Sequence, residues 1–257
     1  METIIGLTIP FLGTVLGAAI VLMLRNGISE KTNSAMLGFA SGVMVAASFW
    51  SLLQPAFEQV GEGIGNTWPV LTGFAAGICF LLTLDTVIPH QHVDDKGPEG
   101  PRSRLPRSIK MILAVALHNI PEGMAVGVVF GGVLSGNTDL TLAGALALSI
   151  GMAIQNIPEG AIISVPLRNE GKSPSTAFVW GAASGLVEPI AALATMFILQ
   201  DSSAAMPILL AFAAGAMLYV VVEELIPSSQ KGNHSNVGTI GFALGFILMM
   251  LLDSCLE

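Results

Sequence analysis

Charge is scarce in this sequence of 257 residues: Asp, Glu, Lys and Arg make up 11%, against 53% hydrophobic residues and a mean hydropathy of +0.74. Water-soluble domains carry roughly a quarter of their residues as charges, so that class is excluded and the chain belongs in lipid. Cysteine is nearly absent too. Cys79 and Cys255 lie far apart, in or beside apolar stretches, which excludes a disulfide framework and a cysteine metal knuckle and leaves them as small apolar fillers. No cleavage-site pattern of small residues closes the first apolar run, so it reads as a retained helix rather than a signal peptide. The formal charge of −8 says little alone, because in a membrane protein the placement of charge carries the information.

What is present is a series of long apolar runs. A spanning helix needs about 20 mostly apolar residues, and eight runs qualify: roughly 3–24, 34–57, 67–89, 109–132, 140–166, 175–200, 204–226 and 236–255. Glycine recurs in all of them, as suits closely packed membrane helices. The prediction is an all-α integral membrane protein, one transmembrane domain over residues 1–257, with no room for a second. All ten Lys and Arg fall in the odd-numbered connections: Arg25 and Lys31; Lys96, Arg102, Arg104, Arg107 and Lys110; Arg168 and Lys172; Lys231. Basic residues mark the cytoplasmic side, so both termini are expected outside. The outer side then holds Glu2, Glu58, Glu62, Asp139, Asp201 and Glu257, a set that either concentrates cations or is plain solvated surface charge. The longest connection, about 90–108, is rich in Pro, Gly and charge and is expected to be mobile.

Ionisable groups deep in a span are costly and mark function by default. Span four reads His118-Asn119-Ile120-Pro121-Glu122-Gly123, and span five repeats the pattern as Gln155-Asn156-Ile157-Pro158-Glu159-Gly160. His118 lies eight residues past Lys110, about 12 Å at 1.5 Å per residue, which is close to the midplane. Residues four apart share a helix face, so His118 stacks over Glu122 and Gln155 over Glu159. Asn119 and Asn156 come three before the same glutamates and suit a second, adjacent position. The donor set is mixed nitrogen and oxygen, fitting Zn²⁺ or another borderline first-row ion, and bridging carboxylates would make the site binuclear. Pro121 and Pro158 are expected to kink their helices and free the carbonyls of Leu117 and Ile154, as broken helices do at transporter ion sites. Span six adds Glu188-Pro189, best explained as a third carboxylate at the same site. A single such helix would fit a kinked span whose polar groups serve packing; two near-identical copies with buried glutamates argue against that.

This motif pair, in an eight-span chain, resembles the ZIP (Zrt/Irt-like) family of divalent metal transporters over its whole length, with the bacterial GufA-like branch nearest. The resemblance implies a first metal position formed by His118, Glu122, Gln155 and Glu159. It implies a second formed by Asn119, Asn156 and Glu188, with Glu122 and Glu159 bridging. Many members have His where this chain has Gln155, and some have Asp where it has Asn156, so neutral ligands stand at two places here. The family further implies a 3+2+3 helix arrangement and a homodimer in the cell inner (plasma) membrane. It implies elevator-like import into the cytoplasm, with spans one, four, five and six sliding on a scaffold of two, three, seven and eight.

A second cluster lies towards the cytoplasmic end, where Asp85, Pro89, His90 and His92 close span three and Glu223-Glu224 precede Pro227 in span seven. Asp85, His90, His92 and Glu224 read either as an exit route for metal or as ordinary interfacial residues. His234 reads as surface. Ser48, Ser51, Gln54 and Glu58 suit an outer mouth, while the methionines suit packing. No catalytic cofactor is implied; Zn²⁺ or a similar ion is the cargo, with iron, manganese, cobalt and cadmium open. An intramembrane zinc metalloenzyme is the alternative, but its usual pair of histidines four apart with an intervening Glu is missing. A metal sensor would need a cytoplasmic output domain.

Overall fold

The computed structural model describes residues 2–23, 27–91, 97–137, 139–199, 203–230 and 235–256. Eight helices long and apolar enough to cross a membrane account for most of them: α1 (Glu2–Met23), α2 (Glu30–Val60), α3 (Trp68–Val87), α4 (Arg107–Leu134), α5 (Leu142–Asn169), α6 (Pro174–Leu199), α7 (Met206–Ser229) and α8 (Val237–Cys255). Each lies within a few residues of an expected span. Their starts carry ordinary helix chemistry. Ser29, Thr141 and Ser173 accept from the backbone N–H of Thr32, Gly144 and Thr176, satisfying otherwise orphaned donors. Among the described residues there is no strand, only an isolated antiparallel bridge between His90 and Glu99.

Three helices depart from regular winding, each beside a proline. Pro55 and Pro227 lack an N–H, and the residues before them, Gln54 and Ile226, donate five residues back to Phe49 and Val221, so Ser48–Leu53 and Val221–Leu225 wind as π-helix. In α6, helix Pro174–Ser184 stops and Val187–Leu199 restarts, with Gly185 and Leu186 in a turn immediately before Glu188-Pro189. Pro121 and Pro158, by contrast, sit inside helices that continue past them.

Packing sorts the helices into two groups. α1 runs along α5 and α4 along the second half of α6, with further contacts between α1 and α6; α2 runs along α8, and α3 along α7. The groups meet where α2 and α8 touch α5 and where α4 touches α7. The large core, including Met44, Leu52, Val126, Leu148, Met152, Leu210 and Met217, fills that junction. The glycine ending each repeated motif explains the closeness. A Cβ on Gly123 would lie 2.3 Å from the carbonyl oxygen of Glu188, and one on Gly160 2.1 Å from that of Thr14, so only glycine allows these backbones to touch.

Candidate metal site

His118, Asn119 and Glu122 on α4, Gln155, Asn156 and Glu159 on α5, and Glu188 on α6 are all buried. Glu188 links the helices. Its Oε1 accepts from Asn119 Nδ2 at 3.0 Å and from Thr14 Oγ1 of α1 at 2.8 Å, and its Oε2 accepts from Asn156 Nδ2 at 2.8 Å. The break in α6 contributes as well, since Asn119 Nδ2 also approaches the carbonyl oxygen of Ser184 at 3.5 Å. Gln155 donates to Asn156 Oδ1, and Asn156 Nδ2 lies 3.4 Å from the Pro10 carbonyl oxygen of α1.

Glu122 and Glu159 differ from Glu188. Neither oxygen of Glu122 receives a hydrogen bond in good geometry, nor do Glu159 Oε2, Gln155 Oε1 and Asn119 Oδ1. Gln155, Asn156 and Glu159 crowd the Glu122 carboxyl, and Glu159 is within electrostatic reach of Glu122, Glu188 and Glu224. Buried polar atoms are almost always paired, and buried like charges repel strongly in a low dielectric. The orphaned atoms are all acceptors, the kind of group that a cation takes as ligand.

Glu224 of α7 also borders these side chains. His118 Nδ1 stands 2.5 Å from Glu224 Oε2 across the junction of α4 and α7. A carboxylate on one ring nitrogen fixes the orientation of the imidazole, as at metal-ligating histidines.

The second cluster expected from the sequence has a different membership. His90 Nε2 lies 2.9 Å from Asp85 Oδ1 and 3.9 Å from Glu99 Oε2. Its Nδ1 is 2.8 Å from the Ile88 carbonyl oxygen, and its backbone pairs with that of Glu99. Ligand atoms of Asp85, His90 and Glu99 all fall within 4.8 Å of one another, and Tyr219 of α7 donates to Asp85 at 3.2 Å. His92 and His234 lie outside the described residues. At the opposite end, a cavity of about 250 Å³ is lined by Ser51, Gln54, Glu58, Asp139 and Asp253, among others. Gln54 donates to Glu58 at 2.9 Å and Ser51 to Asp253 at 3.0 Å. Ser48 instead bonds the carbonyl of Met44 in its own helix.

These motif helices, with their buried acceptors, agree with what comparison of the chain with known proteins finds: residues 90–253 match the family model described as ZIP Zinc transporter. The chain belongs to the ZIP zinc transporter family. Zinc transporter ZIPB of Bordetella bronchiseptica is 40% identical over 258 residues, spanning 98% of this chain and 81% of that protein. Zinc transporter GufA of Myxococcus xanthus is 36% identical over 251 residues and 95% of each chain. Zinc transporter ZIP11 of Homo sapiens is 33% identical over 319 residues and 93% of each. The family and these relatives are named as transporters, not enzymes.

Sequence reasoning passed over three residues of this ZIP chain that the structure brings to the clusters. Thr14 looked like one more small residue of an apolar span, although it lies between Gly13 and Gly17, a close-packing signal. Asp253, buried inside α8, was detectable as the single acid within that span. Glu99 sits in the long connection, and only the chain reversal pairing it with His90 makes it relevant.

Proposed function

We propose that this ZIP protein imports divalent metal ions, zinc foremost, into the cytoplasm through a two-metal site between α4, α5 and α6. The reading is carried by five buried acceptor oxygens without donors, on Asn119, Glu122, Gln155 and Glu159, in a chain whose relatives are named zinc transporters. His118, Glu122, Gln155 and Glu159 form the first position; Asn119, Asn156 and Glu188 form the second, with Glu122 and Glu159 bridging. One imidazole with carboxylates and amides suits zinc, and the two neutral amide positions suit an ion that must leave again.

The acidic cavity of Glu58, Asp139 and Asp253 gathers ions from outside. Asp85, His90 and Glu99, with His92 and Glu224, take them onward. The placement of Lys and Arg supports termini on the outer face of the inner membrane. The packing groups support an elevator in which α1, α4, α5 and α6 slide as one body on α2, α3, α7 and α8, in a homodimer. In proteoliposomes, Glu122→Ala and Glu159→Ala are each expected to abolish uptake of labelled zinc. Wild-type rates in either variant would overturn the reading.

A further inference from the structure

Helix α1 contributes no proposed metal ligand, yet one of its side chains reaches the site. Spanning hydroxyls in this chain commonly return their proton to the carbonyl four residues back, as Ser41, Ser48, Ser149 and Thr195 do. Thr14 does not. Its Oγ1 crosses to α6 and donates to Glu188 Oε1 at 2.8 Å. The surroundings are shaped for this reach, because a Cβ on Gly185 would meet Thr14 Cβ at 2.8 Å and Glu188 Oε1 at 2.9 Å. Thr14 is itself wholly buried.

Three donors from three helices thus hold Glu188, but unequally: Oε1 takes Thr14 and Asn119, whereas Oε2 takes Asn156. Asn119 and Asn156 are proposed ligands that an arriving ion recruits. Thr14 is the donor that no ion recruits. We propose that Thr14 is a positioning residue for the second metal position, holding Glu188 Oε1 so that Oε2 turns to the ion. The inference rests on the assignment of Glu188 to that position.

The test uses the purified full-length protein, zinc alone as probe, and equilibrium dialysis read as a two-position isotherm. Glu188→Gln identifies which position is the second. Thr14→Val, which keeps shape and removes the hydroxyl, is expected to weaken that position roughly tenfold to a hundredfold, the range for a hydrogen bond to a charged group. The first position should stay within about twofold, and Thr14→Ser should restore the second; a residue serving packing alone would lower both together and gain nothing from serine. Thr14→Ala reads the same contact without added bulk should the valine protein fold poorly. A wild-type isotherm in Thr14→Val or Thr14→Ala, with the second position lost in Glu188→Gln, overturns this inference alone. Two unchanged positions in Glu188→Gln overturn the site assignment beneath it.

Discussion

At the scale of single residues, the informative atoms are those that folding leaves without partners. Glu122 of α4 keeps both oxygens without a hydrogen bond in the interior, whereas Glu188 of α6 has three donors. A burial that served stability alone would be better met by apolar residues of the same volume, and the proposed ion accounts for the cost at Glu122 and Glu159. Asp253 makes a separate case: it is buried, tied to Ser51 and open to the cavity that Glu58 and Asp139 also line. Asp253→Asn keeps the shape and removes the charge, and is expected to raise the KM for zinc uptake about threefold to tenfold with little change in maximal rate, since a like-signed cleft concentrates its cation. Initial-rate uptake curves check this; a lowered maximal rate at unchanged KM would contradict it. Glu122 and Glu159 were legible in the sequence because each is an acid beside a proline in an apolar run, repeated once. Glu224 was visible, but its neighbour was not. Common depth suggests its grouping with Asp85, and the π-wound turn of Val221–Leu225, which changes which way each of its side chains faces, accompanies its contact with His118.

At the scale of elements, hydropathy alone located all eight helices to within a few residues, because the bilayer thickness sets their length and unpaired backbone is forbidden in lipid. It did not say where helices would yield. The helices continue past Pro121 and Pro158, and interruptions fall before Pro55, Pro189 and Pro227, where π-winding or a glycine turn takes up the lost hydrogen bond. The motif glycines have a specific duty at this scale. Gly160→Ala would press a methyl against the Thr14 carbonyl, 2.1 Å from its ideal position, and is expected to destabilise the protein by about 1–3 kcal/mol through overpacking. Gly65→Ala, where nothing lies within 4 Å, should leave the melting temperature unchanged. Thermal unfolding in detergent compares the two; equal melting temperatures would show that α1 and α5 do not need this approach.

At the scale of the whole molecule, the groups α1, α4, α5, α6 and α2, α3, α7, α8 meet at the candidate metal centre, where His118 of α4 stands against Glu224 of α7. If the first group slides, the distance between the groups must take more than one value. With Cys255→Ser removing one exposed thiol, spin labels on Cys79 of α3 and on a cysteine introduced by Leu193→Cys on α6, both positions exposed, report that distance. Two populations whose weights respond to zinc are expected, and a single fixed distance would exclude the elevator. Neither that motion nor the pairing of helices could be read from hydropathy, which is indifferent to which apolar faces meet. The central claim remains the mid-membrane metal centre, and the most direct measurement is an anomalous difference map at the zinc edge from zinc-loaded crystals. The account predicts two peaks enclosed by His118, Glu122, Gln155, Glu159 and Glu188. Zinc bound solely at Asp85, His90 and Glu99, with no peak between α4, α5 and α6, would contradict it.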